Sequence, residues 1–305
     1  MKKKKILIIG GTGFIGYHLA AKCKKLKWSA TSVSKNKLLN KRKLKNIKYK
    51  ICDISVKRNL SKLTKNKYNY VVNLGGYIDH ISKKRTYRGH YLGAKNLFNA
   101  FKNKGLESFI QIGSSTEYGT VKSPHYEDAK GKPKLIYGKS KLLATQFLLR
   151  SYKKYNFPVT ILRFYQVYGP KQSFDRFIPI LIKACIKNIK FPSSHGKQKR
   201  DFLYIDDAIS AILKSLNNPK CIGKIINVGS GKPITLLKIM KYVQKKIGGG
   251  ELLLGKIKLR KDEPMIIFPY LKNAKKILNW KSKISFNSGI NRTIKEYKKQ
   301  ISKFS

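Results

Sequence analysis

Acidic residues are the first shortage: 14 Asp and Glu stand against 68 Lys and Arg in 305 residues, a formal charge of +54. Where acids are this rare, an Asp at a special position is a less probable accident. Cysteine is scarce too. Cys23, Cys52, Cys185 and Cys221 lie far apart with no C-x-x-C pair, which excludes a zinc ribbon and a disulfide framework and predicts a reducing compartment. No apolar run approaches the ~18 residues of a membrane span. The apolar stretch after MKKKK is broken by Gly10, Gly11 and Gly13 and is followed by no small-residue cleavage site, so the segment reads as a strand rather than a signal peptide and a cytoplasmic location is expected. No internal repeat and no long linker occurs.

What is present describes a folded enzyme-sized globule. A hydrophobic content of 41% with 11% aromatics argues against a disordered polyelectrolyte, and the length suits one large α/β unit or two modest domains. The excess of base suggests nucleic acid or an anionic membrane as partner. Its distribution speaks against both: the 58 lysines spread over every predicted loop and helix surface, as compositional drift would leave them, with no single stripe. Arginine, at 10 residues, is the informative base.

Short apolar runs at 5–9, 29–33, 47–51, 69–74, 108–112 and 159–163 alternate with helical patterns near 14–26, 57–64, 89–103 and 138–155. This alternation predicts a Rossmann-type, doubly wound parallel sheet covered on both faces. Beyond residue 170 the rhythm loosens, with helices expected at 176–188, 206–216, 235–247 and 286–302 and a strand at 225–228. The expected division is a dinucleotide-binding domain over 1–168 plus about 200–230, and a smaller α/β substrate-binding domain from 169–199 and 231–305.

Three stretches carry chemistry. "KILIIGGTGFIG" (5–16) runs a strand into a glycine turn and then a helix beginning at Phe14. Gly10, Gly13 and Gly16 in G-x-x-G-x-x-G spacing permit close backbone approach, and the helix start at Phe14 and Ile15 offers free N–H groups to a pyrophosphate. After the second strand stand Ser34 and Lys35 where an acid for the ribose hydroxyls is usual, which tilts the cofactor from NAD toward NADP. Asp53, followed by Ile54, closes the third strand in "CDIS", where a scarce acid favours binding of an adenine amine over the alternative of a helix N-cap. "YGKSK" (137–141) sets Tyr137 and Lys141 one turn apart on a helix, where the ammonium is expected to favour the phenolate and lower the tyrosine pKa. "GSSTEYG" (113–119) follows the fifth strand, at the carboxyl edge where ligands sit. A serine hydroxyl there can bind a carbonyl or alkoxide and pass its proton to Tyr137.

Together these elements resemble the extended short-chain dehydrogenase/reductase family of NAD-dependent nucleotide-sugar epimerases, dehydratases and reductases, over nearly the whole chain. The resemblance implies Ser114, Tyr137 and Lys141 as catalytic residues, Ser114 because it lies four residues before Tyr118. It implies Leu74, Gly75 and Gly76 along the cofactor. "LRFYQVYGP" (162–170) looks like the family's L-R-x-x-N-V-Y-G-P and puts Phe164 by the nicotinamide and Gln166 by the substrate. "GKQKRDFLYIDDA" (196–208), "LRKDEP" (259–264) and "LNW" (278–280) look like its nucleotide-sugar segments, implying Arg200 and Arg260 on the diphosphate, with Ser115 and Thr116 beside the sugar; bidentate recognition favours arginine there. Ser115 and Thr116 replace the acidic pair that the family's dehydratases carry, which makes water loss the lesser reading. His90 stands where an Asn is common and receives no role; Asp79 and His80 are near the crevice without a catalytic pattern.

The implied activity is hydride transfer at a hexose carbon of a nucleotide-diphosphate sugar by an epimerase, or by a 4-keto sugar reductase, with NAD or NADP and no metal. A dehydratase and a noncatalytic RNA-binding relative of the same fold are the alternatives, together with a redox sensor that binds dinucleotide alone. The intact Ser, Tyr, Lys and arginine set argues against the RNA binder. Helices 89–103 and 138–155 resemble those that pair in dimers of the family, so a homodimer is expected, and no membrane partner.

Overall fold

The structure, a computed structural model, describes residues 3–37, 42–77, 82–260 and 263–301; Asp79 and His80 lie outside them. Seven strands build the main sheet: β1 (Lys5–Ile9), β2 (Ser29–Ser34), β3 (Lys48–Ile51), β4 (Tyr70–Asn73), β5 (Ser108–Ser114), β6 (Val159–Phe164) and β10 (Ile225–Val228). Their spatial order is β10-β6-β5-β4-β1-β2-β3, and every neighbouring pair is parallel. Chain order reverses between β1 and β4, so the carboxyl ends of those strands open a crevice at the switch point. The Rossmann-type, doubly wound expectation is met.

Strand side chains alternate between two cores. Ile6 and Ile8 face α1 (Phe14–Lys25) and α7 (Ile205–Leu216), whereas Leu7 and Ile9 face α4 (Gly93–Phe101) and α5 (Ile136–Tyr155). The central strands are buried on both faces, which is why β1 and β4 read as largely apolar runs, whereas the edge strand β3 is partly exposed. Between β3 and β5 lie α2 (Ser61–Thr64) and α3 (Lys83–Tyr87); α3 continues into α4 through a wide π turn, Arg88–Leu92.

The second half holds structure that no periodicity announced. β7 (Gln166–Tyr168), β9 (Lys199–Tyr204), β11 (Pro233–Thr235) and β13 (Ile266–Ile267) form a second sheet centred on β9, and β8 (Lys190–Pro192) pairs with β12 (Glu251–Leu253). Residues 199–204, expected with the first domain, thus belong to the smaller sheet; only the following helix α7 covers the main one. Their strand is buried along almost its whole length and so shows no alternation, and its pairing is set by distant partners. α6 (Phe177–Ile186), α8 (Leu236–Ile247), α9 (Lys272–Lys276) and α10 (Phe286–Ile301) complete the smaller unit. Asp207 pins it to the sheet's helix layer, accepting from the backbone N–H of Lys283 and Ile284 at 3.0 and 2.9 Å.

Among the described residues no helix is long and apolar enough to cross a membrane. All four cysteines are buried thiols.

Candidate active site

The glycine turn is built by contact, residue by residue. Gly10 has φ of +73°, and its N–H, with that of Gly11, donates to the Val33 carbonyl at 2.8 and 3.0 Å. A side chain at Gly10 would strike the Leu74 carbonyl at 2.8 Å, and one at Gly16 the Gly10 carbonyl at 2.3 Å. These two glycines therefore pull the end of β4 and the start of α1 onto the turn. Gly13 differs: a Cβ there meets only the Gly10 carbonyl, at 3.1 Å, and faces open space otherwise. Gly13 is also the helix N-cap, offers no side chain to cap it, and the first turn carries no acid. The N–H groups of Phe14 and Ile15 have no intrahelical acceptor and lie beside that space. A phosphate cradle is what such a helix start fits.

From there contacts run along the crevice. Gly75 N–H is held by Asn73 Oδ1 at 3.0 Å, and Asn73 in turn donates to Gln111 Oε1 at 2.8 Å. Ile54 packs on Gly75 and Gly93, its carbonyl accepting from Asn96 at 2.9 Å. Gly76 is the seat of His90, whose ring would collide with any side chain there. His90, carried by the π turn, sits edge-on to Tyr137 with ring centroids 5.0 Å apart and its Nε2 3.1 Å from the Tyr77 carbonyl.

Tyr137 and Lys141 occupy the first two turns of α5. The Tyr137 phenol shares a hydrogen bond with the Ser114 side chain; Ser114 Oγ also accepts from Thr116 N at 3.2 Å and Thr116 Oγ1 at 2.9 Å. Phe164 lies directly beside Ser114 in the β5–β6 register. Lys141, 5% exposed, donates from Nζ to the Ile112 carbonyl at 2.7 Å and stands 6.0 Å from the Tyr137 ring centroid. Burial pushes this ammonium down to about 8 against a smaller upward push from Glu117. The expected depression of the tyrosine is not observed. Burial raises the Tyr137 phenol above its ordinary value, outweighing the Ser114 hydrogen bond and the Arg176 charge that lower it.

At the carboxyl ends of β2 and β3, Lys35 Nζ is 3.0 Å from Asp53 Oδ2, and Asp53 Oδ1 accepts from Ser55 N and Oγ at 2.9 and 2.7 Å. Partial burial pushes this carboxyl up, but Ser55 and Lys35 prevail and hold it low. Asp53 is thus a local turn former, not a helix N-cap, and its carboxylate beside Lys35 sets a negative charge next to the end of β2, where a 2′-phosphate would be repelled. Ser34 Oγ is turned onto the Asn36 carbonyl at 2.5 Å.

Across the crevice, Gln166 is exposed and pairs with Phe202, two residues from Arg200. Arg200 and Arg260 meet at one carboxylate: Glu263 Oε1 binds Arg200, and Glu263 Oε2 binds Arg260 Nη2 at 2.6 Å and Nε at 3.1 Å. Arg200 is buried by this pairing, whereas the Arg260 side chain is 63% exposed. Ser115 is half-buried and Thr116 exposed, the latter committed to Ser114.

Glu117 was not anticipated. It is fully buried; Oε1 accepts from Ser114 N at 2.8 Å, and Oε2 accepts from Thr145 Oγ1 at 2.8 Å and Arg163 Nε at 2.9 Å. Ser114 and Glu117 form a capping box around one 3₁₀ turn, and the S-x-x-E spacing of "SSTE" is the signal that marks it.

The family described as "NAD dependent epimerase/dehydratase family" matches residues 6–229. A mouse dTDP-D-glucose 4,6-dehydratase is 28% identical over 98% of this chain and 90% of its own. A UDP-glucuronate 4-epimerase of Thermodesulfobacterium geofontis is 31% identical over 68% of this chain and 65% of its own. Among solved structures, the Bacillus cereus UDP-glucuronic acid 4-epimerase in complex with UDP-glucuronic acid and NAD superposes with a TM-score of 0.87 at 25% identity, covering 97% of this chain and 99% of that one.

Proposed function

The chain belongs to the NAD-dependent epimerase/dehydratase family, and from that premise we propose that it interconverts epimers of a nucleotide-diphosphate sugar with NAD as resident hydride carrier. The observation that carries this reading is the convergence of Ser114, Tyr137 and Lys141 at the carboxyl end of β5, joined to the glycine turn through Gly75, Gly76 and His90. The open face at Gly13 fits a dinucleotide pyrophosphate, and the Lys35–Asp53 pair favours NAD over NADP.

Bound NAD supplies a reversible sink for the hydride that leaves the sugar carbon. In its phenolate form, which the Lys141 ammonium favours against the burial that raises the phenol, Tyr137 Oη takes the proton of the hydroxyl on that carbon and returns it when the hydride comes back on the opposite face. Ser114 Oγ holds the reacting oxygen and stabilises its developing charge. Lys141, clamped on the Ile112 carbonyl, keeps a positive charge beneath Tyr137 without reaching the sugar. Arg200 and Arg260, already gathered by one carboxylate, are the cations suited to a diphosphate. The loop after β5 offers no acid to expel a hydroxyl, because Ser115 and Thr116 are neutral and Glu117 is consumed by Arg163, Thr145 and the Ser114 amide; this favours epimerisation over dehydration. A homodimer through α4 and α5 is part of the same reading, supported by Leu143 and Tyr155, 37% and 49% exposed on α5.

The test is incubation of the purified protein with UDP-glucose, UDP-glucuronic acid and dTDP-glucose, with products separated by anion exchange. Interconversion at one sugar carbon with no net change in NAD is expected, and a kcat about 10²- to 10⁴-fold lower in Tyr137→Phe. Formation of a 4-keto-6-deoxy sugar makes the protein a dehydratase. Undiminished turnover by Tyr137→Phe removes the acid/base assignment.

A further inference from the structure

Resting on the hydride-transfer reading above, we propose that Glu117 is a positioning residue of the active site: its one buried carboxylate braces the Ser114 loop against α5 and β6 and supplies the negative charge opposite Lys141.

The brace is visible in where the carboxylate goes. One oxygen holds the amide of Ser114 itself; the other holds Thr145, one turn beyond Lys141 on α5, and Arg163 on β6. Tyr137, Lys141 and Thr145 recur every four residues along one helix face, so the carboxylate fixes the serine relative to the helix that carries its partners. The surrounding glycines leave it no slack. A side chain at Gly113 would strike Glu117 Oε1 at 2.6 Å, and one at Gly138 would strike the Thr116 carbonyl at 2.5 Å. The loop and the helix start therefore touch backbone to backbone.

The charge has its own role. Lys141 is a buried ammonium that donates to a neutral carbonyl, and burial lowers its proton affinity to about 8, with Glu117 opposing. Of the other groups around this pair, Tyr137 and Tyr118 are neutral phenols raised by burial, His90 meets Tyr137 edge-on, and Arg163 and Arg176 are cations. Glu117 is thus the acid that keeps Lys141 protonated near neutrality, and its loss lowers the proton affinity of Lys141 further.

Three variants test this. Glu117→Gln keeps an acceptor for the Ser114 amide but removes the charge; its turnover should fall and the alkaline limb of kcat should move about one pH unit toward acid. Thr145→Val keeps the charge but loosens the brace; its turnover should fall with the limb unmoved. A second readout needs neither NAD nor substrate. Lys141→Met should raise the unfolding temperature more in the Glu117→Gln background than in the parent, since an uncompensated buried ammonium is then removed. Should Glu117→Gln fail to fold because Arg163 is stranded, Glu117→Gln/Arg163→Met takes its place in both measurements. An unmoved alkaline limb, or an equal effect of Lys141→Met in both backgrounds, overturns the inference while leaving epimerisation standing. If Tyr137→Phe turns over normally, the functional reading itself fails and the catalytic half of the inference goes with it, whereas the unfolding cycle still decides the charge pairing.

Discussion

Replacing Gly16 with alanine should loosen cofactor binding and also lower the stability of the fold. The added Cβ would sit 2.3 Å from the Gly10 carbonyl and 2.6 Å from Gly11 Cα, both backbone atoms that cannot swing aside. Restoring ordinary contact requires α1 to retreat by about 1 Å. Overpacking of this kind costs about 1–3 kcal/mol, a fall of roughly 2–5 °C in unfolding temperature for a chain of this size. The same retreat draws the N–H groups of Phe14 and Ile15 away from the pyrophosphate. A charge-assisted hydrogen bond is worth ~1.5–3 kcal/mol, so losing one weakens NAD by roughly 10- to 100-fold. Gly13→Ala is the control. Its φ of −70° and ψ of 177° suit any residue, and its Cβ meets one atom at 3.1 Å, so stability should change by less than about 1 kcal/mol while affinity drops because the methyl enters the cradle. Calorimetric titration with NAD and thermal unfolding without it read the two effects separately. If Gly16→Ala binds NAD within about twofold of the parent, or Gly13→Ala leaves affinity intact, the pyrophosphate does not sit on this turn.

Other consequences are as direct. Because burial drives the Lys141 ammonium down to about 8, catalysis that needs its charge should be retained below that pH and lost as pH rises through it; a flat kcat profile up to pH well above 8 would contradict the assignment. Arg200→Met should raise KM for the nucleotide sugar at least about tenfold and leave the dissociation constant of NAD unchanged, as measured by fluorescence titration; weakened NAD binding would relocate the diphosphate site. Asp207→Ala strands the amides of Lys283 and Ile284, at a cost of about 1–3 kcal/mol, visible as a lower denaturant midpoint. An unchanged midpoint would show that the segment is held by its apolar contacts alone.

The amino-acid order determined the sheet and the catalytic helix almost unaided, because each of those features is local. β1, β4, β5 and β6 are largely apolar runs buried on both faces, and α5 starts where "YGKSK" places Tyr137 and Lys141 one turn apart. The glycine spacing likewise required only a strand, a turn and a helix. What tertiary structure decided is whatever depends on residues far apart in the chain. The short strands around β9 owe their existence to partners 30 or more residues away, so no window of sequence displays them. Arg200 and Arg260 became one cluster only through Glu263, and Lys35 met a carboxylate only because the fold sets Asp53 beside the end of β2. Proton affinities changed most of all. Spacing brings an ammonium near a phenol, but burial, which only the packed fold supplies, raised the phenol of Tyr137 and lowered the ammonium of Lys141, since removing water penalises whichever form of each group is charged.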